Sequence, residues 1–109
     1  MKNSTFNAIA RNRLNFCKSL LIKKGNEYST GYDDRLINFK VGAELTGDSP
    51  EKTLWGYLAK HLTSLRTMID SGEYLNGPTV NEKISDSINY LVLLEALICE
   101  RCNNGQNRN

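Results

Sequence analysis

Glu82, Asp86 and Asn89 stand at i, i+4 and i+7 of one run, so a helix there lines three short oxygen-bearing side chains along a single stripe. Such a stripe suits a hard cation, because Mg²⁺ is commonly held by one or two carboxylates together with substrate phosphates. The same spacing is met more simply if Glu82 completes a capping box with Thr79 and Asp86 faces water. A second group, Lys24, Asn26, Glu27 and Tyr28 followed by Asp34, Arg35, Asn38 and Lys40, mixes aromatic, amide and both signs of charge. That mixture fits a polar, ring-bearing ligand better than a fatty one; the structural alternative makes Asp34 a helix cap and Arg35 plain surface. Lys60 and His61 follow the aromatic pair Trp55 and Tyr57. Lys60 would act as a compact charge for a phosphate, whereas His61 shares the stripe of Leu54, Leu58 and Leu65 and reads equally as a hydrogen-bonded core histidine.

The elements that must position these residues are helical. Phe6, Ala10, Leu14, Cys17 and Leu21 recur at helical spacing and predict a first helix over about 5–24, ended by the cationic Lys23 and Lys24 and a C′ glycine at Gly25. Residues 26–32 then read as a loop. Asp33 or Asp34 can cap a short second helix through Leu45, before Gly47. Ser49-Pro50-Glu51 is a start signal for a third: serine cap, proline at the first helical position and an acid against the helix dipole. Leu54, Leu58, Leu62, Leu65 and Met68 or Ile69 form its stripe, ending near Gly72. Thr79-x-x-Glu82 predicts a fourth helix to about Cys102, apolar nearly all round in its second half. The fold class expected is therefore all-α, a compact bundle of about four helices forming one domain over 1–102, with a disordered polar tail over 103–109.

A chain of 109 residues can close one hydrophobic core. Its net charge of +2 is too balanced for a nucleic-acid surface, and no apolar run reaches the length of a membrane span. The opening residues carry no secretory pattern, which predicts a cytoplasmic protein. Cys17, Cys99 and Cys102 are an odd and sparse set, read as free thiols; Cys99-x-x-Cys102 lacks the second pair that a zinc site needs.

Three blocks, taken in order, carry a resemblance: Lys24-Gly25-Asn26-Glu27-Tyr28-Ser29, Lys60-His61-Leu62-Thr63-Ser64-Leu65, and Glu82 to Leu91 with its E-x-x-x-D-x-x-N-Y pattern. Together they resemble the small MazG-like, nucleotide-modification-associated proteins encoded by bacteriophages, over about residues 23–100. The resemblance implies an all-α homo-oligomer with a nucleotide between helices and Mg²⁺ on carboxylates, here Glu82 and Asp86, with Glu27 matching the acid of the loop block. Joined with the reading from residue type, this gives an expected ligand-binding set of Lys24, Asn26, Glu27, Tyr28, Asp34, Arg35, Asn38, Lys60, His61, Asn89 and Tyr90. In a phage setting the cytoplasm would be that of the host bacterium.

The chain departs from that family's pattern in having no E-x-x-E pair and in placing Lys60 where relatives often have an aspartate. Fewer metal carboxylates beside phosphate-friendly Lys, Arg and Asn describe a pocket that holds a nucleotide without cutting it. The expected function is capture of a nucleotide-derived small molecule, such as a cyclic-nucleotide or ADP-ribose-like immune signal of the host. The alternative is a Mg²⁺-dependent nucleoside triphosphate pyrophosphohydrolase. No catalytic residue is assigned, and neither nucleic acid nor membrane is an expected partner.

Overall fold

The structure is a computed structural model that describes the backbone of residues 1–28 and 33–107 and the side chains of residues 1–25 and 33–104. Among the described residues there are four helices and no strand: α1 (Asn3–Tyr28), α2 (Ile37–Thr46), α3 (Pro50–Ser71) and α4 (Pro78–Asn107). The all-α expectation holds.

Three of the helix boundaries are written in side-chain and glycine chemistry. Ser49 caps α3 by accepting a hydrogen bond from the Lys52 N–H at 3.2 Å, with Pro50 at the first helical position. Gly47 and Gly72 take the left-handed conformation (φ 72° and 74°) and close α2 and α3 with N–H bonds to Ala43 and Met68 carbonyls, a geometry that a Cβ would strain.

Other boundaries differ from the sequence expectation. Gly25 does not end α1, which continues through Asn26 and Glu27 to Tyr28. A glycine is tolerated inside a helix at modest cost, and here the missing Cβ leaves room for Arg35. Asp34 does not cap α2 directly. Its carboxylate accepts from the Leu36 N–H at 3.0 Å and its carbonyl from the Ile37 N–H at 3.3 Å, a turn that precedes the helix. Thr79 lies inside α4 because Pro78 already occupies its first position, so Thr79 and Glu82 are not a capping box. The backbone of α4 runs past Cys102 to Asn107, since adding residues to a formed helix costs far less than starting one.

α3 and α4 pack antiparallel, α2 packs antiparallel on α3, and α1 packs on α4. Leu36, Phe39, Leu54 and Leu97 form the buried centre, with Tyr90, Leu93 and Leu94 against it. Burial of a leucine such as Leu54, which is wholly enclosed, is worth about 1.5–3 kcal/mol. α1 is fixed to α4 by a polar clamp. The Arg13 guanidinium donates to Ser85 Oγ at 2.6 Å and Asn81 Oδ1 at 3.0 Å, while the Cys17 thiol, buried beneath, donates to the Ser85 carbonyl at 3.8 Å. The register runs parallel, Arg13 by Asn81 and Lys24 by Asp86, so α1 overshoots the start of α4 by about 10 Å. Phe6 and Ile9 lie on that overhang and are 60% and 51% exposed, and the molecule measures 51 Å along its long axis. Among the described residues no helix is long and apolar enough to cross a membrane. Cys99 and Cys102 are exposed free thiols.

Candidate functional site

The parallel approach of α1 to α4, with α2 and α3 closing the other sides, leaves a cavity of about 260 Å³. From α1 it receives Leu21 and Lys24, and from the turn before α2 and α2 itself Arg35, Asn38 and Phe39. Tyr57 enters from α3, and Asp86, Asn89, Tyr90 and Leu93 from α4. The volume falls just below the about 300 Å³ at which drug-sized pockets begin, enough for one planar ring system and part of a sugar.

One wall is aromatic. Phe39 and Tyr57 lie 6.4 Å apart between centroids, Tyr57 and Tyr90 6.4 Å apart and nearly parallel at 18°, and His61 lies 5.3 Å from Tyr90 behind them. These separations belong to stacked and edge-on ring contacts, so the wall is rigid and presents ring surface to the cavity.

Beside that wall the cavity carries charge. Lys24 Nζ stands 3.7 Å from Asp86 Oδ1, and His61 Nδ1 4.0 Å from Asp86 Oδ2; both are ion-pair rather than hydrogen-bond distances. Arg35 is a second cation, and among the described residues no hydrogen bond or ion pair engages its guanidinium. Its Nε lies 2.9 Å from where a Cβ on Gly25 would be, which places it beside the backbone next to Lys24.

Asn89 lines the same cavity, is 6% exposed, and its Oδ1 is buried without a hydrogen-bond partner among the described residues; His61 Nδ1 is in the same condition. An unpaired buried polar atom costs about 1–3 kcal/mol. A ligand that pairs with the amide, once the side chain turns toward it, recovers that cost.

Six of the residues expected from sequence meet here: Lys24, Arg35, Asn38, Asp86, Asn89 and Tyr90. His61 backs the wall through Tyr90 and Asp86 without lining the cavity. Lys60 is exposed and lines no part of it, because the buried stripe of Leu54 and Leu58 turns the adjacent position outward. Asp34 is also elsewhere: its carboxylate bonds Lys40 Nζ at 2.7 Å, and Lys40 pairs in turn with Glu100 on α4. The Lys40 hydrogen bond, aided by the Leu36 N–H, holds the Asp34 carboxyl below its ordinary range, and the bonds to Asp34 and Glu100 push Lys40 up. The side chains of Asn26, Glu27 and Tyr28 lie outside the described residues. Sequence reasoning missed Tyr57, Leu21, Phe39 and Leu93. Tyr57 carried a usable signal, since it precedes His61 by one turn and so shares its face.

A second, shallower groove of about 590 Å³ lies along the outer side of α1 and α4, lined by Arg13, Phe16, Asn81 and Glu82 among others, and it shares Lys24 and Asp86 with the inner cavity. Glu82 thus faces the outer groove only. The residues present fit Mg²⁺ poorly: the Asp86 oxygens face Lys24 and His61, cations or donors that compete with a metal, and no three His, Cys, Asp or Glu side chains gather into a metal site among the described residues.

No protein-family model, no curated protein and no solved structure matches the chain.

Proposed function

We propose that this protein is a nucleotide-binding protein that captures a nucleotide-derived small molecule and holds it without turnover. The observation that carries the reading is the composition of the inner cavity: Lys24 and Arg35 for phosphate, the Tyr57 and Tyr90 rings for a base, and Asn89, with its unpaired Oδ1, for a base edge or sugar hydroxyl. Asp86 is the one carboxylate lining that cavity among the described residues, and it is paired with Lys24. An anionic ligand can take over the Lys24 ammonium while Asp86 turns to a His61 N–H, so the carboxylate keeps a hydrogen-bond donor when phosphate enters.

A homo-oligomer is part of the proposal. Exposed Phe6, Ile9, Leu14 and Phe16 on α1, with Leu91, Val92 and Ile98 on α4, leave apolar surface that a second copy would cover. The MazG-like resemblance agrees with both statements. The hydrolytic alternative would need metal ligands beyond Glu82 and Asp86.

The test is to incubate the purified protein with a panel of linear and cyclic nucleotides, with Mg²⁺ and with EDTA, then assay product and the ligand released on heating. Intact nucleotide recovered only after denaturation supports capture. A product formed with Mg²⁺ and absent with EDTA makes it a hydrolase.

A further inference from the structure

The inner cavity and the outer groove share two residues, Lys24 and Asp86, so the ion pair between them is the partition of one longer cleft. At 3.7 Å, with Lys24 37% exposed, the pair is weak and movable. On its inner side Arg35 rests beside Gly25, next to Lys24, so two cations converge at the partition. The outer lobe has a different chemistry. Phe16 offers a half-exposed ring with the Arg13 guanidinium 6.0 Å from its centroid, and the Glu82 carboxylate supplies acceptors on α4 beside Asn81, whose Oδ1 already accepts from Arg13. Acceptors beside an aromatic platform suit the hydroxyls and amino groups of a nucleoside, and Glu82 disfavours a free phosphate there.

We infer that the cleft takes a ligand with two nucleoside halves joined by a phosphodiester or pyrophosphate. One base sits on the Tyr57 and Tyr90 wall with Asn89, the linking phosphate replaces Asp86 on Lys24 with Arg35 beside it, and the second nucleoside lies on Phe16. This inference rests on the nucleotide reading of the inner cavity and adds a subsite to it. The whole cleft is larger than a mononucleotide needs, and the phosphate-binding charge sits at its middle rather than at its end.

The test is a titration of the full chain in EDTA with AMP and with the dinucleoside monophosphate ApA, adenine being chosen because an asparagine amide pairs with its N6/N7 edge. The dinucleotide is expected to bind at least about tenfold more tightly than AMP, the gain of one further stacked base. Phe16→Ala, at an exposed position outside the inner cavity, is expected to remove that gain and leave AMP affinity within about twofold of wild type, with helicity checked by circular dichroism. Equal affinity for AMP and ApA, or equal weakening of both by Phe16→Ala, overturns the second subsite while the inner cavity stands. Binding of neither ligand overturns the nucleotide reading and this inference with it.

Discussion

Arg35 lies across Gly25, its Nε only 2.9 Å from the position a Cβ would take and its Cδ 3.2 Å away. Gly25 is helical, so its value here is space rather than backbone freedom. The glycine in the first sequence block therefore positions a cation of the cavity wall.

Gly25→Ala separates that role from stability. The alanine removes a helix-interior glycine, worth about 0.5–1 kcal/mol in favour of the fold, and the flexible Arg35 side chain can shift at little cost. Thermal stability is expected to stay level or rise by a few degrees, while nucleotide affinity falls about tenfold as Arg35 leaves its place. Paired melting and titration curves check both halves; a loss of stability with unchanged affinity would speak against the assignment.

Asn89 makes the complementary case. A buried amide with an unpaired oxygen is a cost in the free protein, so Asn89→Leu, which keeps the branched outline though it is bulkier, is expected to stabilise the fold by about 1 kcal/mol where the adjoining cavity takes up the added methyl volume. The same change should weaken the ligand by about tenfold or more, because a base edge then meets hydrocarbon. Denaturant unfolding beside ligand titration reads the two numbers.

The Asp34, Lys40 and Glu100 cluster sets a pH dependence outside the cavity. Asp34, held low by Lys40, contributes stability that is present above about pH 4 and lost as pH falls through its lowered value. Lys40, held high by Asp34 and Glu100, contributes stability that is complete below about pH 10 and lost as pH rises through its raised value. Lys40→Met should destabilise the protein by about 1 kcal/mol at neutral pH, and its melting curve should converge on that of wild type at the acid and alkaline ends. A constant gap across the whole range would assign the loss to packing instead.

The overhanging end of α1 governs assembly. Phe6→Glu with Ile9→Glu places two charges where apolar side chains are more than half exposed, so a lone chain should tolerate them within about 0.5 kcal/mol. Light scattering after size exclusion is expected to show an oligomer for wild type and a smaller species for the double variant, with helicity retained. A wild-type monomer at micromolar concentration would remove the oligomer from the account.

The helices were legible because their signals are local. The Ser49 cap, Pro50 and the turn glycines Gly47 and Gly72 act within a few residues, and each appears where its chemistry requires. Gly25 was misread because a glycine after two lysines matches a helix stop, and only the tertiary approach of Arg35 says otherwise. In the candidate site, Lys24, Arg35, Asn38, Asp86, Asn89 and Tyr90 could be named from residue type. Tyr57 lines the cavity and Lys60 does not, since helical phase on α3 is set by which side of a broad stripe meets α2 and α4, and residue type alone does not show it. Asp34 lies outside the cavity lining and pairs with Lys40 six residues away, and nothing local in the sequence distinguishes that pairing from ligand contact.

The most direct test of metal-free capture is equilibrium binding of labelled nucleotides in EDTA to wild type, Arg35→Ala and Lys60→Ala. Wild type and Lys60→Ala should bind alike, and Arg35→Ala should bind about tenfold more weakly, the loss expected for one charge-assisted phosphate contact. Binding that vanishes in EDTA, or that depends on Lys60 as much as on Arg35, would contradict capture in the cavity between α1, α2, α3 and α4.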